Sequence, residues 1–213
     1  IVSKNGGTAN KLTSAKGTEL LARFSPDGKQ IAFSGNYNGN IDVYVMPSLG
    51  GLPKRITHHG MTDRLIDWYP DGNNLLFASS RESGKQRFNQ FYKVSKSGGL
   101  PEKLPLPYAE FGVISPDGKQ ILFTNGSSGI WVMKVNGKAP RAITTKNDID
   151  PTWSPDGSMI AFASSRRGER QLFIMDADGS NIRQVTNLEE MGGRSTWSPD
   201  GKKLAFYAGP AGD

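Results

Sequence analysis

One short motif recurs along the whole chain and constrains its fold more than any other feature. An aromatic or aliphatic residue followed by Ser/Tyr-Pro-Asp-Gly occurs five times, with the prolines at Pro26, Pro70, Pro116, Pro155 and Pro199. The spacings of 44, 46, 39 and 44 residues match the length of one four-stranded unit of a radially repeated β architecture. The motif reads as a turn. Proline presets φ at the first central position, aspartate hydrogen-bonds nearby backbone, and glycine accepts the left-handed conformation that closes a hairpin.

Around each turn the sequence alternates as strand, turn, strand. Pro151-Thr152-Trp153 leads in and Met159-Ile160-Ala161-Phe162-Ala163 leads out, and the second strand recurs as Gln30-Ile31-Ala32-Phe33, Asn74-Leu75-Leu76-Phe77, Gln120-Ile121-Leu122-Phe123 and Lys203-Leu204-Ala205-Phe206. A third strand follows, as in Ile41-Asp42-Val43-Tyr44-Val45-Met46 and Leu172-Phe173-Ile174-Met175. A glycine turn then leads to a fourth, ending in Ile56-Thr57, Lys103-Leu104, Ile143-Thr144 or Val185-Thr186. The expected fold is all-β: a single domain over residues 1–213, a five-bladed β-propeller of four-stranded antiparallel blades.

The ends of the chain bear on closure, because a long unpaired apolar edge is a liability. Residues 5–13 align with residues 49–57, so the chain starts within a third strand, and it stops after a first and second strand. In register Ile1 matches Ile174 and Asp213 matches Glu169, which predicts closure by two-plus-two strand pairing of the termini. A slice of a six- or seven-bladed ring is the rival. The turn type also changes along the chain, from Gly-Gly-Leu-Pro at residues 50–53 and 98–101 to Asn136-Gly137-Lys138 and Asp178-Gly179-Ser180. That change makes an engineered or hybrid propeller conceivable, with a seam near Thr124.

These residues carry a resemblance. The Trp/Phe-Ser-Pro-Asp-Gly-Lys-x-Ile-Ala-Phe core, the Ser-Ser-Arg that follows it (Ser79-Ser80-Arg81, Ser164-Ser165-Arg166) and the turn at residues 174–180 resemble the WD-like Pro-Asp repeats of TolB-type propellers. The stretch Pro47-Ser48-Leu49-Gly50-Gly51-Leu52-Pro53-Lys54-Arg55-Ile56-Thr57 is also similar to the propeller of tricorn-type peptidases. The first resemblance implies a periplasmic or extracytoplasmic scaffold that binds protein or peptide; the second implies a noncatalytic ring that gates or docks peptides for a serine peptidase. Neither implies chemistry in the propeller itself.

Composition agrees with this reading. A chain with 26 glycines, 13 prolines and 36% hydrophobic residues is cut into short segments around a core, and zero cysteines remove disulfides and thiolate sites. The net charge of +6 is a weak push towards acidic partners. The basic pairs Lys54-Arg55, Arg166-Arg167 and Lys202-Lys203 fall at strand ends around the repeat, where nucleic acid would want them on one track, so no nucleic-acid partner is expected. No stretch approaches the roughly 18 apolar residues of a membrane span, so no membrane insertion is expected. The start, Ile1-Val2-Ser3-Lys4, has neither an initiator Met nor an apolar signal core, which reads as a processed or excised chain. A monomer without cofactor is the expectation.

Catalytic motifs do not assemble. Gly126-Ser127-Ser128-Gly129 is one residue short of a nucleophile elbow, and Asp176-Ala177-Asp178-Gly179 begins like a calcium loop but has Asn187 where the loop needs its final Glu. His58 and His59 are adjacent, so on extended backbone they point to opposite sides. No catalytic residue is expected, and a metal site is left open. Trp68, Trp153 and Trp197 recur at one register, as inter-blade packing requires.

The segments entering each first strand are different in kind. Glu19, Asp63, Arg64, Glu110, Asp148, Asp150 and Arg194 lie there, five carboxylates and two guanidiniums where the innermost strands of a propeller meet the channel. They are the expected partner-binding residues at the channel mouth, with contact loops at residues 58–63, 146–150 and 187–194. Mutual salt bridges are the competing use of the same charges.

Overall fold

The structure is a computed structural model that describes residues 1, 5–14, 16–82, 89–106, 108–126, 129–189 and 191–208. Residues 127–128 of the Gly-Ser-Ser-Gly stretch, residue 190 of the last loop and residue 213 of the terminal register lie outside them. The described residues form eighteen strands and no helix, so no helix among them is long and apolar enough to cross a membrane.

The chain divides into two compact units, residues 1–103 and 104–213. The first unit holds two four-stranded antiparallel sheets. One contains β1 (Glu19–Phe24), β2 (Gln30–Gly35), β3 (Asp42–Pro47) and β4 (Lys54–Arg55); the other contains β5 (Asp63–Trp68), β6 (Asn74–Ser79), β7 (Gln90–Ser95) and β8 (Glu102–Lys103). The second unit holds two more: β9 (Glu110–Ile114), β10 (Gln120–Thr124), β11 (Ile130–Lys134) and β12 (Arg141–Ala142), then β13 (Asp148–Trp153), β14 (Met159–Ser164), β15 (Gln171–Asp176) and β16 (Arg183–Gln184). It ends in a two-stranded sheet of β17 (Met191–Trp197) and β18 (Leu204–Ala208). The first three strands of each complete sheet follow the repeat read from sequence, whereas each fourth strand has two residues and stops one or two residues before its expected end, which leaves little edge exposed.

The turns behave as their chemistry demands. In four of the five, the serine hydroxyl donates to the aspartate: Ser25 to Asp27 (2.6 Å), Ser115 to Asp117 (2.7 Å), Ser154 to Asp156 (2.6 Å) and Ser198 to Asp200 (2.6 Å). The same carboxylate accepts a backbone N–H two residues on, from Lys29, Lys119, Ser158 or Lys202. These bonds favour the ionised form and lower each of the four carboxyls, Asp156 to about 2. Tyr69 replaces the serine in the second repeat, and the Asn74 amide donates to Asp71 instead (2.6 Å).

Alternate residues of each second and third strand pack in opposite directions. In the first unit Ala32, Val43, Val45 and Ile56 meet Leu65, Trp68, Leu75, Phe77, Tyr92 and Val94 of the next sheet. In the second unit Leu122, Ile130 and Val132 meet Trp153, Ile160, Phe162, Phe173 and Met175, while Ala161, Ala163, Leu172 and Ile174 meet Met191. Trp68 Nε1 donates to the Arg23 carbonyl (3.1 Å) and Trp197 Nε1 to that of Thr152 (3.3 Å), so each ties its first strand to the one before. The recurrent tryptophans are packing residues, as their register predicted.

Closure by pairing of the two ends falls partly on residues 2–4 and 209–213, which lie outside the described residues. No strand occurs among the described residues before Glu19, and Leu12 packs against Ile31, Phe33, Tyr44 and Met46 of the first sheet. Gly6 and Gly7 both stand at left-handed φ, which favours a turn at that point.

Candidate functional site

The seven charged residues singled out from sequence all sit in the first strand of a sheet, and the first strand is where each repeat departs from regular pairing. Every first strand carries a register shift: between Leu20 and Arg23, Leu65 and Asp67, Ile149 and Thr152, across Gly193, and opposite Phe123 and Thr124. A bulge re-aims one side chain and increases twist. Five residues before the turn proline, Leu21, Phe111, Asp150 and Arg194 adopt left-handed backbone with φ of 57°, 42°, 52° and 45°. Non-glycine residues pay for that conformation, and it persists only where surrounding structure holds it.

The candidates fall into two groups with different work. Glu19, Asp63 and Asp148 stand seven residues before their prolines, at the start of their strands, and each is held by the residue eleven after the same proline. Asp63 pairs with Arg81 (2.7 Å) and Asp148 with Arg166 (2.6 Å), both carboxylates being fully buried. Glu19, which is exposed, accepts the hydroxyl of Tyr37 (2.8 Å). The two arginines are fixed in the same way: Nε donates to Ser79 or Ser164 (3.1 Å each), and the guanidinium lies 4.8–5.1 Å from two ring centroids, Phe77 and Tyr92 or Phe162 and Phe173. Tyr37 takes this place against Phe33 and Tyr44, with its ring 4.8 Å from that of Tyr44. Burial and the Glu19 hydrogen bond push its phenol up. The Ser-Ser-Arg signature is therefore a clamp that fastens the start of the first strand to the aromatic pair of its own sheet.

The remaining candidates are presented instead. Arg64 and Arg194 are exposed and Glu110 and Asp150 half-buried. The side chains of Arg64, Glu110 and Arg194 make no hydrogen bond or ion pair among the described residues, whereas the Asp150 carboxylate accepts the backbone N–H of Arg194 (3.2 Å). Asp150 and Arg194 are thus brought together across adjacent first strands of the second unit. A glycine precedes Arg194 because a Cβ at Gly193 would stand 2.9 Å from the Asp150 carboxylate.

One buried carboxylate escaped sequence reading. Asp42 opens β3, is fully buried, pairs with Arg55 (2.6 Å) and accepts the Thr57 hydroxyl (3.2 Å). Burial pushes its carboxyl up against the pull of Arg55 and Thr57, with Asp63 adding to the rise. The signal was an aspartate heading an otherwise apolar strand. The histidines are loop residues: His59 Nδ1 accepts the N–H of Met61 (3.1 Å) and its carbonyl accepts the Asn40 amide (2.6 Å), while His58 is exposed. Among the described residues no group of three or more acidic or histidine side chains is arranged to hold a metal ion.

Comparison with known proteins divides the chain between two overlapping family models. The family model for the tricorn protease N-terminal beta propeller domain matches residues 1–129, and that for the TolB beta propeller domain matches residues 112–213. The Tol-Pal system protein TolB of Francisella tularensis subsp. holarctica is 32% identical over 186 residues, which cover 82% of this chain and 42% of that relative. The chain therefore spans less than half the length of that relative. A putative TolB from Agrobacterium tumefaciens has a similar structure, with a TM-score of 0.75 and 25% identity over 92% of this chain and 78% of the other. The tricorn protease gives a TM-score of 0.73 at 24% identity, covering 96% of this chain and 22% of the protease, and so shows likeness of fold.

Proposed function

From a chain that belongs to the family of tricorn-type N-terminal β-propeller domains, and whose C-terminal repeats match TolB propellers, we propose a noncatalytic, five-bladed binding module for a protein or peptide partner. The observation that carries this reading is the division of labour in the first strands. Charges at one register are consumed by internal clamps, while Arg64, Glu110, Asp150 and Arg194 are exposed or half-buried, Asp150 and Arg194 on left-handed backbone. A fold needs the first group. Among the described residues the second contributes no ion pair or side-chain hydrogen bond at Arg64, Glu110 or Arg194, as suits a surface kept for recognition.

In this reading the blades hold rigid first strands, and Arg64, Glu110, Asp150 and Arg194 offer forked and single charge-assisted hydrogen bonds to an incoming chain. The compartment is extracytoplasmic, by likeness to TolB. Capture from a bacterial periplasmic extract tests it: wild-type chain retains a partner that the variant R64A/E110A/D150A/R194A loses, with both chains equally folded. Equal retention by the two would refute it.

A second reading rests on the match of residues 1–129 to the tricorn propeller: the chain is the peptide-docking part of a serine peptidase. The two family models meet over residues 112–129, which include Thr124, so a hybrid of two propeller types also fits. A peptidase partner would supply hydrolysis that the isolated chain lacks, and an assay of both with a fluorogenic peptide separates that reading from a simple scaffold.

A further inference from the structure

The chain carries four Asn-Gly dipeptides, at residues 5–6, 38–39, 125–126 and 136–137. Glycine leaves the main-chain nitrogen of such a pair unshielded, so that nitrogen can attack the asparagine side-chain carbonyl carbon and close a five-membered ring. Two conditions govern the attack: the nitrogen must be free of a hydrogen bond, and the backbone between the two residues must have room to turn. Asn38 and Asn136 present the contrast, since Asn5 and Asn125 are each engaged in an interaction of their own.

Asn136 meets neither condition. The Gly137 N–H donates to the Lys134 carbonyl (2.8 Å), and the Asn136 carboxamide oxygen accepts the N–H of Lys138 (3.1 Å). Gly137 is packed so closely that a Cβ there would stand 2.5 Å from Pro105. Asn38 meets both. It is exposed in the loop between β2 and β3, and the Gly39 N–H has no hydrogen-bond partner among the described residues. A Cβ on Gly39 would meet nothing within 4 Å, so the backbone has space to rotate. The Asn38 carboxamide nitrogen donates to the Tyr44 hydroxyl at 3.5 Å, the outer limit of such a bond, which leaves the side chain loosely held.

The neighbour on the other side gives the position its consequence. Tyr37 fastens the start of β1 through its hydroxyl on Glu19 (2.8 Å), with its ring against Phe33 and Tyr44. We propose that Asn38 is a self-modification site whose conversion to isoaspartate releases the Tyr37–Glu19 clamp. The Gly39 nitrogen bonds to the Asn38 side-chain carbon, the carboxamide carbon–nitrogen bond breaks, and ammonia leaves with the proton that the Gly39 nitrogen gave up. Water then opens the ring. Opening at the Asn38 main-chain carbonyl leaves isoaspartate, with the main chain routed through the side-chain carbon and a new carboxylate in the loop. The main chain gains one atom directly after Tyr37, which shifts the ring out of the geometry that reaches Glu19.

The test incubates the full 213-residue chain at mildly alkaline pH and follows Asn38 and Asn136 by peptide mapping with mass spectrometry, fragmentation separating isoaspartate from aspartate. Asn38 is expected to convert at least about fivefold faster than Asn136, the factor that the one hydrogen bond on the Gly137 N–H is worth. Asn38→Gln, whose longer side chain would have to close a six-membered ring, is expected to stay unconverted. Amides of β1 are expected to exchange hydrogen faster in the incubated wild-type chain than in Asn38→Gln incubated beside it. Fresh Asn38→Asp, which carries the new charge on an ordinary main chain, is expected to exchange as fresh wild type does. Equal conversion at Asn38 and Asn136, or isoaspartate at Asn38 with β1 exchange unchanged, overturns the proposal. So does a fresh Asn38→Asp chain that exchanges as fast as the incubated one, since charge and not the rerouted main chain would then open the clamp.

Discussion

Replacing Asp148 by alanine separates a clamp from a ligand site, since Asp148 belonged to the binding residues expected from sequence. Its carboxylate is fully buried against an Arg166 side chain that is 15% exposed. Removing one partner of a buried pair costs about 3–5 kcal/mol, because the other charge is left without compensation. Arg166 keeps its Ser164 contact, its two aromatic rings and a solvent-facing edge, so the loss belongs near the lower limit, about 3 kcal/mol. For a chain of this size that corresponds to a melting temperature lower by roughly 6–12 °C. Replacing both partners, as in D148A/R166M, removes the stranded charge and is expected to cost less than D148A alone. Urea titrations followed by tryptophan fluorescence report on the same strand, through Trp153. A D148A chain within about 0.5 kcal/mol of wild type, or a double variant as costly as the sum of the singles, would refute the clamp.

Other expectations follow from single features. Because the turn carboxyls are lowered in the fold, they add stability above the unfolded value of about 3.9 and lose it as pH falls towards about 2. Melting temperature should therefore drop across that window, less steeply in D156N, and parallel curves for the two chains would contradict it. Trp68→Phe should cost about 1 kcal/mol more than Trp153→Phe in denaturant titrations, since Trp68 Nε1 donates to a carbonyl while Trp153 Nε1 is buried without a partner among the described residues. Equal losses would show that the indole bond is worth nothing. Gly129→Ala should destabilise by more than about 2 kcal/mol, because its φ is +92° and a Cβ would lie 2.7 Å from the Thr144 hydroxyl and from the carbonyls of Thr144 and Lys146; an unchanged unfolding midpoint would refute that.

Much of this architecture was legible in the sequence because the repeat is written twice over, in turn chemistry and in strand alternation. Pro, Asp and Gly at fixed offsets fix each hairpin, and Ala32, Leu76, Leu122 and Ala161 mark one packing face without ambiguity. Register was harder. Asp148 and Asp150 are two residues apart and look interchangeable in sequence, yet a bulge between them buries one and presents the other. A strand period of two would have put both on one face. The partner of Asp148 lies eighteen residues away across the hairpin, so the clamp appears only when Ser164-Ser165-Arg166 is seen folded back on the first strand. Asp42 was missed for a similar reason: its partners are Arg55 of the fourth strand and Thr57 just beyond it, and no local motif joins them.

The most direct test places a photo-crosslinking residue at Arg64 or Arg194, at the start of a first strand, and at Lys202, beside the turn that follows one. In periplasmic extract the first two positions are expected to yield a crosslinked partner and the third none. Crosslinks from Lys202 alone would contradict a partner surface built on the bulged ends of the first strands.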